Sequence, residues 1–221
     1  MRHSNHYPGE VSVLASLRSL TPTRSVTLPR ALHIADRQAA RLLQLRGVET
    51  IPVLTTIVSE LPRIIVEQDS ELPLHAASGC SDWDSCRRAW VISINPREPR
   101  TRQRFTVLHE YKHIIDHGGP EIQMDNWAAR FHRAPAEIVA DYFAGCVLIP
   151  KRVLNAAFYD GIQTATDLAQ LFDVSADAIR VRLAQVGLAD PHHAAQRDRA
   201  VSPYRTARYY RTAQRIMEAT A

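Results

Sequence analysis

The stretch "RFTVLHEYKHIIDHGG", Arg104 to Gly119, decides how the chain is interpreted. It places His109, Glu110 and His113 in an H-E-x-x-H pattern, inside a run that predicts one continuous helix ended by two glycines and a proline. Four residues advance about 400° on an α-helix, so the two histidines project from one face about one turn apart. Two imidazoles placed in this way are able to reach one metal ion.

Glu110 lies one step round the predicted helix from His109. In that position it is badly placed to bind the same ion, but well placed to hold a water molecule beside it. In metal-dependent hydrolases with this motif, the two histidines bind the metal and the glutamate acts as the general base. The same helical geometry predicts that Lys112 faces away from the site, into solvent.

A catalytic zinc site normally has three protein ligands and a water, so a third ligand is needed. The predicted helix beginning at Pro135 carries Glu137 and Asp141, whose spacing puts both carboxylates on one face. One is able to bind the metal while the other orients a ligand imidazole. Alternatively, the two acids pair with Arg130 or Arg133. The other candidates for the third ligand are Asp116, His117 and His132.

The rest of the chain predicts a mainly helical α+β domain with a small sheet packed by the H-E-x-x-H helix. Apolar spacing predicts a helix over residues 28–45, stopped at Gly47. Strands are predicted in "PRIIVEQ" (62–68), in "RAWVISINP" (88–96) and in a segment ending at Gly79, which together indicate an antiparallel or mixed sheet. Three short helices are predicted after Pro150, over residues 152–158, 165–172 and 175–187.

Composition is that of a globular protein: 221 residues, 45% hydrophobic and 23% charged. No run approaches the ~20 apolar residues that span a bilayer, and the N-terminal residues do not resemble a signal peptide. We therefore expect a cytoplasmic protein with no membrane association. The three cysteines, Cys80, Cys86 and Cys146, are expected to be reduced thiols.

Charge is concentrated at the C-terminal end. The net charge of the chain is +4, and the six arginines against two acids between residues 196 and 221 account for all of it. We predict a flexible lead at residues 1–24, a domain at 25–190 and a basic tail at 191–221. A solvated tail is the favoured interpretation; contact with nucleic acid or an acidic partner is the alternative.

Residues 165–187 raise a rival hypothesis, because their helix, turn and helix have lengths compatible with a DNA-binding motif. The turn has Asp173 where such motifs often place glycine, and Arg180 and Arg182 are the basic residues of the second helix. Packing beneath the metal site is therefore the favoured role for this segment.

The segments "RQRFTVLHEYKHIIDH" (102–117) and "EIVADYFAGCVLIP" (137–150) resemble the ImmA/IrrE-type metallopeptidases. In the family pattern, a phenylalanine precedes H-E-x-x-H on one helix. A second segment carries E-x-x-A-[ND]-x-F-A and ends with a leucine and a proline. The positions that match are Phe105, His109, Glu110, His113, Glu137, Ala140, Asp141, Phe143, Ala144, Leu148 and Pro150. The likeness extends over about residues 28–188.

The resemblance implies a zincin-like, gluzincin-type zinc endopeptidase. It implies His109, His113 and Glu137 as zinc ligands, Glu110 as general base, and Asp141 as the residue that supports the ligands. It also implies a protein substrate, a helix-turn-helix repressor in a bacterial or mobile-element stress switch. Two alternatives stay open: a non-catalytic zinc-binding sensor or interaction module, and a DNA-binding regulator that uses 165–187 and the arginine-rich tail.

Overall fold

Most of the secondary structure is helical. The structure is a computed structural model that describes residues 12–72, 78–124 and 133–188. The helices of the described residues are α1 (Val13–Arg18), α2 (Leu28–Leu45), α3 (Thr56–Ser59), α4 (Arg100–Asp116), α5 (Pro135–Leu148), α6 (Lys151–Tyr159), α7 (Ala165–Phe172) and α8 (Ala176–Val186). The strands are β1 (Val26–Thr27), β2 (Ile64–Gln68), β3 (Gly79–Asp84), β4 (Ala89–Ile94) and β5 (Ile122–Gln123). No helix in these ranges is both long and apolar enough to cross a bilayer.

The larger sheet has the strand order β2-β4-β3 and is mixed: β2 runs parallel to β4, and β3 runs antiparallel to it. This confirms the predicted small sheet. The predicted end of the strand at Gly79 is wrong, because β3 runs from Gly79 to Asp84. Residues 73–77 of the predicted strand lie outside the described ranges. The connection to β4 passes through Arg88, which has φ 51°. Since glycine and asparagine are the usual residues at positive φ, an arginine gave no turn signal in the sequence.

The core lies where α5 packs against both α2 and α4. Helix α2 presents small residues such as Ala35 and Ala39, which allow close packing against α5. Helix α4 buries side chains on more than one face, because α5 covers one side while β3 and β4 cover another. The H-E-x-x-H helix is therefore a central element of the fold.

Helix α1 lies within the range predicted to be a flexible lead, and the structure corrects that prediction at Val13–Arg18. Leu17 is fully buried. The Arg18 guanidinium donates to the carbonyls of Ile114 and Ile115 at 2.8 and 3.3 Å. Since the last carbonyls of a helix have no partner within it, Arg18 caps the C-terminal end of α4. Residues 1–11 and the predicted tail at 191–221 lie outside the described ranges.

Lys112 was predicted to be solvated, and this is wrong: it is only 2% exposed. Its Nζ donates to Gln38 Oε1 at 2.8 Å and forms an ion pair with Asp116. Burial lowers the pKa of Lys112 below that of a free lysine, and the Asp116 carboxylate opposes this shift. Helical periodicity turns Lys112 about 80° away from the direction of His109 and His113, but its Nζ meets Gln38 of α2 and not solvent.

Helices α7 and α8 are joined to the domain by two buried arginines. Arg104 of α4 donates to the carbonyls of Phe172, Asp173 and Val53, and pairs with Asp173 Oδ2 at 2.8 Å. Arg182 of α8 is 2% exposed and donates to the Ile149 carbonyl at 3.1 Å. Because Arg182 is enclosed by the domain, it is not available to a DNA backbone. Asp173 has φ 52°, the left-handed conformation that glycine usually supplies in such a turn.

Replacing Arg104 with methionine should lower the free energy of unfolding by about 3 kcal/mol, because it removes the buried donor to three carbonyls and the cation that pairs with the partly exposed Asp173. The midpoint of urea unfolding of the full chain measures this change. Arg100 is the matched control: it also pairs with Asp173, at 3.6 Å, but its side chain is 76% exposed. Arg100→Met should cost less than about 1 kcal/mol, and equal losses in the two variants would contradict the assignment.

Candidate metal centre

Helices α4 and α5 bring three potential metal ligands together. His109 Nε2 lies 3.1 Å from His113 Nε2 and 3.3 Å from Glu137 Oε2, and His113 Nε2 lies 3.2 Å from Glu137 Oε1. Among the described residues, these three form the one His/Cys/Asp/Glu group with the compactness of a metal site, with ligand atoms within 4.8 Å of one another.

The separations are of the size that a metal ion needs. With bonds of about 2.0–2.1 Å to the metal, the edge of a coordination tetrahedron is about 3.3 Å. The two nitrogens lie 3.1 Å apart, and each lies 3.2–3.3 Å from a different oxygen of the Glu137 carboxylate. Two imidazole nitrogens and a carboxylate at these distances also leave one face open for a water or a substrate. The donor set therefore fits a catalytic type of metal centre better than a closed structural one.

Exposure rises across the group, from 13% for the His109 side chain to 28% for His113 and 42% for Glu137. The site thus opens towards solvent on the Glu137 side. Glu137 lies in the first turn of α5, which begins at Pro135 as predicted. A carboxylate is favoured there, because the N-terminus of a helix carries a partial positive charge.

Asp141 lies behind His109. Its Oδ1 is 2.8 Å from His109 Nδ1, and its Oδ2 accepts a bond from Arg133 at 2.7 Å. Since a carboxylate only accepts hydrogen bonds, His109 carries its proton on Nδ1 and directs Nε2 to the metal position. The structure therefore separates the two acids of α5 that sequence spacing left equivalent: Glu137 faces the Nε2 atoms and Asp141 supports a ring.

Protonation states follow from the same contacts. Burial lowers the pKa of His109, but the hydrogen bond and charge of Asp141 outweigh it, so the net shift is upward. For Asp141, burial raises the pKa, while the bonds from His109 and Arg133 outweigh it, so the net shift is downward. Asp141 is thus held as an anion, which is the state that orients the imidazole.

The other candidates for the third ligand lie elsewhere or outside the described residues. Asp116 pairs with Lys112 on the α2 side of α4. His117 follows the end of α4, with its ring 4.8 Å from that of Trp90. His132 and Arg130 fall outside the described ranges.

Glu110 lies on the sheet side of the site and is 9% exposed. Its Oε2 accepts a hydrogen bond from Ser81 Oγ of β3 at 3.0 Å. Sequence reasoning missed Ser81, because the strand that carries it was not predicted. It also left Arg133 as one of two possible partners for the acids of α5.

Comparisons with known proteins concern the family and the fold. A family profile described as the IrrE N-terminal-like domain, a peptidase family, matches residues 68–184. No curated protein matches the chain. Ten solved chains do match; one is a Mycobacterium tuberculosis transcriptional regulator, with 20% identity and a TM-score of 0.51 over 79% of this chain and 52% of the regulator. At that identity the likeness shows a common fold alone, and this chain spans about half of the regulator's length.

The purified chain should bind about one divalent transition-metal ion at His109, His113 and Glu137, by the ligand count of such sites. His109→Ala and Glu137→Ala should each abolish stoichiometric binding, because two remaining ligands do not hold an ion through dialysis. Elemental mass spectrometry measures the bound metal. His117→Ala is the matched control and should keep the ion; a His109→Ala protein with full metal content would contradict the site.

Asp141→Asn should weaken metal affinity by about 10–100-fold, because the neutral amide no longer stabilises the His109 ring that donates to the metal. Competition with a chromophoric chelator measures the dissociation constant. Asp177→Asn provides a control at an acid whose side chain is 89% exposed and lies on α8. Equal affinities for the Asp141→Asn and Asp177→Asn proteins would exclude a supporting role for Asp141.

Proposed function

This chain belongs to the IrrE N-terminal-like peptidase family, as its two helical segments predicted, and on that premise we propose that it is a zinc-dependent endopeptidase. The observation that carries the proposal is the compact His109–His113–Glu137 group, with Glu110 next to His109 in the helix that supplies two of its members. Membership of a metallopeptidase family implies that the chain binds a metal ion. A ligand set of two imidazoles and one carboxylate favours zinc among the common ions.

When bound, the zinc ion acidifies the attacking water and polarises the scissile carbonyl. The chain supplies the remaining chemistry. Glu110 accepts a proton from the attacking water and passes it to the nitrogen of the departing amine, so the carboxylate ends in its starting state. Asp141 keeps the His109 ring in the orientation that the ligand set needs.

Substrate is expected to bind in extended form along β3. Among the described strands, β3 is paired on one side only, with β4, and it carries Ser81 next to Glu110. An edge strand offers backbone donors and acceptors to an extended peptide. A peptide added there would run past Glu110 towards the open side of the metal group, which favours cleavage within a chain.

The substrate we propose is a regulatory protein of the helix-turn-helix repressor type, as the family resemblance implies. The structural likeness to a transcriptional regulator is compatible with this role. Cys80, Cys86 and Cys146 are free thiols, which fits the reducing cytoplasm where a repressor acts. Cleavage of the repressor would release the genes that it holds silent.

Glu110→Gln should keep the metal and lose about 10²–10⁴-fold in peptide cleavage, because the amide does not accept the proton of the water. Cleavage is measured by mass spectrometry on a library of proteome-derived peptides incubated with the zinc-loaded full chain. Glu60→Gln is the control, since that side chain is 64% exposed and pairs with Arg46 away from the site. Full cleavage by Glu110→Gln would remove Glu110 as the base.

Co-expression with the product of the adjacent gene, taken as the candidate repressor, tests the substrate and separates the catalytic from the non-catalytic hypothesis. Repressor fragments that appear with the wild type and not with Glu110→Gln support proteolysis. Derepression by both proteins, with the repressor intact, would instead favour a zinc-binding interaction module.

A further inference from the structure

The Glu110 carboxylate meets one polar side chain of the sheet, Ser81. We propose that Ser81 is a positioning residue that holds Glu110 in the orientation needed by a general base; this rests on the peptidase function proposed above. Ser81 Oγ lies 3.0 Å from Glu110 Oε2 and 3.4 Å from the Glu110 carbonyl oxygen. The single hydroxyl proton is donated to the carboxylate, which is both the nearer and the more negative acceptor.

The orientation of the Glu110 carboxylate needs an external contact, because the last side-chain torsion angle of a glutamate, χ3, has a broad distribution and does not fix the carboxylate plane. Among the described residues, Ser81 is the one side chain within hydrogen-bonding distance of this carboxylate. The bond engages Oε2 and leaves Oε1 available to accept a proton. Ser81 thus selects both the plane of the carboxylate and the oxygen that receives the proton.

The backbone of β3 brings Ser81 to this position. Ser81 pairs with Ile92 of β4, which is fully buried under α4. Side chains alternate between the two faces of a strand, so Gly79 lies on the same face as Ser81, while Cys80 and Asp82 lie on the opposite face. A Cβ atom at Gly79 would lie 2.5 Å from Thr106 Cγ2 and 2.7 Å from the Ser93 carbonyl oxygen. Glycine is therefore what allows β3 to approach α4 closely enough for the Ser81–Glu110 bond.

The role assigned to Ser81 involves no transfer of its own proton. The proton from the water moves to Glu110 Oε1 and then to the amine, while the Ser81 hydroxyl stays bonded to Oε2 throughout. Loss of the hydroxyl should therefore slow the chemical step and leave substrate binding and metal binding unchanged.

Ser81→Ala should lower kcat by about 10-fold or more, the usual effect of removing a group that orients a site residue, with KM within twofold of the wild type. Ser81→Thr keeps the hydroxyl and should recover most of kcat. Ser59→Ala is the matched control: it removes the same hydroxyl from an exposed serine at the end of α3, away from the metal group and from β3, and should cleave like the wild type. The substrate is the best-cleaved peptide of the library; metal content and melting temperature are measured for every variant and should not change.

Wild-type kcat in Ser81→Ala would overturn the inference, as would a Ser81→Thr protein as slow as Ser81→Ala. If Ser81→Ala melts early, Ser81→Cys decides, because the thiol has a similar shape but is a weak donor: full kcat in that variant overturns the role, and an intermediate kcat supports it. A wild-type protein that cleaves no peptide would refute the peptidase function itself, whereas cleavage at full rate by Ser81→Ala refutes only the positioning role.

Discussion

The packing of α4 against α5 is the constraint on which the rest of the site depends. One helix supplies two imidazoles and a candidate base, and the other supplies one carboxylate to the Nε2 atoms and a second to the opposite side of the His109 ring. Burying such groups is unfavourable unless each finds a partner. Here the acids of α5 and the histidines of α4 satisfy one another, and a metal ion would complete the arrangement.

The position of α4 is set by cations as much as by apolar contacts. Arg18 caps its C-terminal carbonyls, Lys112 joins it to Gln38 of α2, and Arg104 joins it to Val53 and the turn before α8. These bonds lie at three heights along the helix and on sides that do not face the metal group. Together they oppose both sliding and rotation of α4, and a ligand set whose separations must stay within tenths of an ångström requires that rigidity.

Prediction from sequence was most successful where the signal is local. The ranges of α2 and α7 agree with those predicted, as does the start of α5 at Pro135, because apolar spacing and helix-ending residues lie within the segments concerned. The range of β3 was not predicted correctly. Its position depends on pairing with β4, which the segment itself does not encode, and the turn between the two strands uses Arg88 at positive φ in place of glycine. Prediction also failed for Lys112, since a pattern of spacing tells which side of a helix a residue occupies but not what covers that side.

By itself, the sequence determined the family, the mainly helical α+β class and the pairing of His109 with His113 on one helical face, all of which follow from short-range spacing. Residue spacing left Glu137 and Asp141 equivalent, and the tertiary structure placed Glu137 at the Nε2 atoms, in agreement with the family resemblance. The tertiary structure alone decided that Arg133 holds Asp141 and that Ser81 meets Glu110. Each of these contacts joins residues from different elements. Their geometry depends on helix crossing, strand register and a close approach at Gly79, and no one segment of the chain encodes these by its own periodicity.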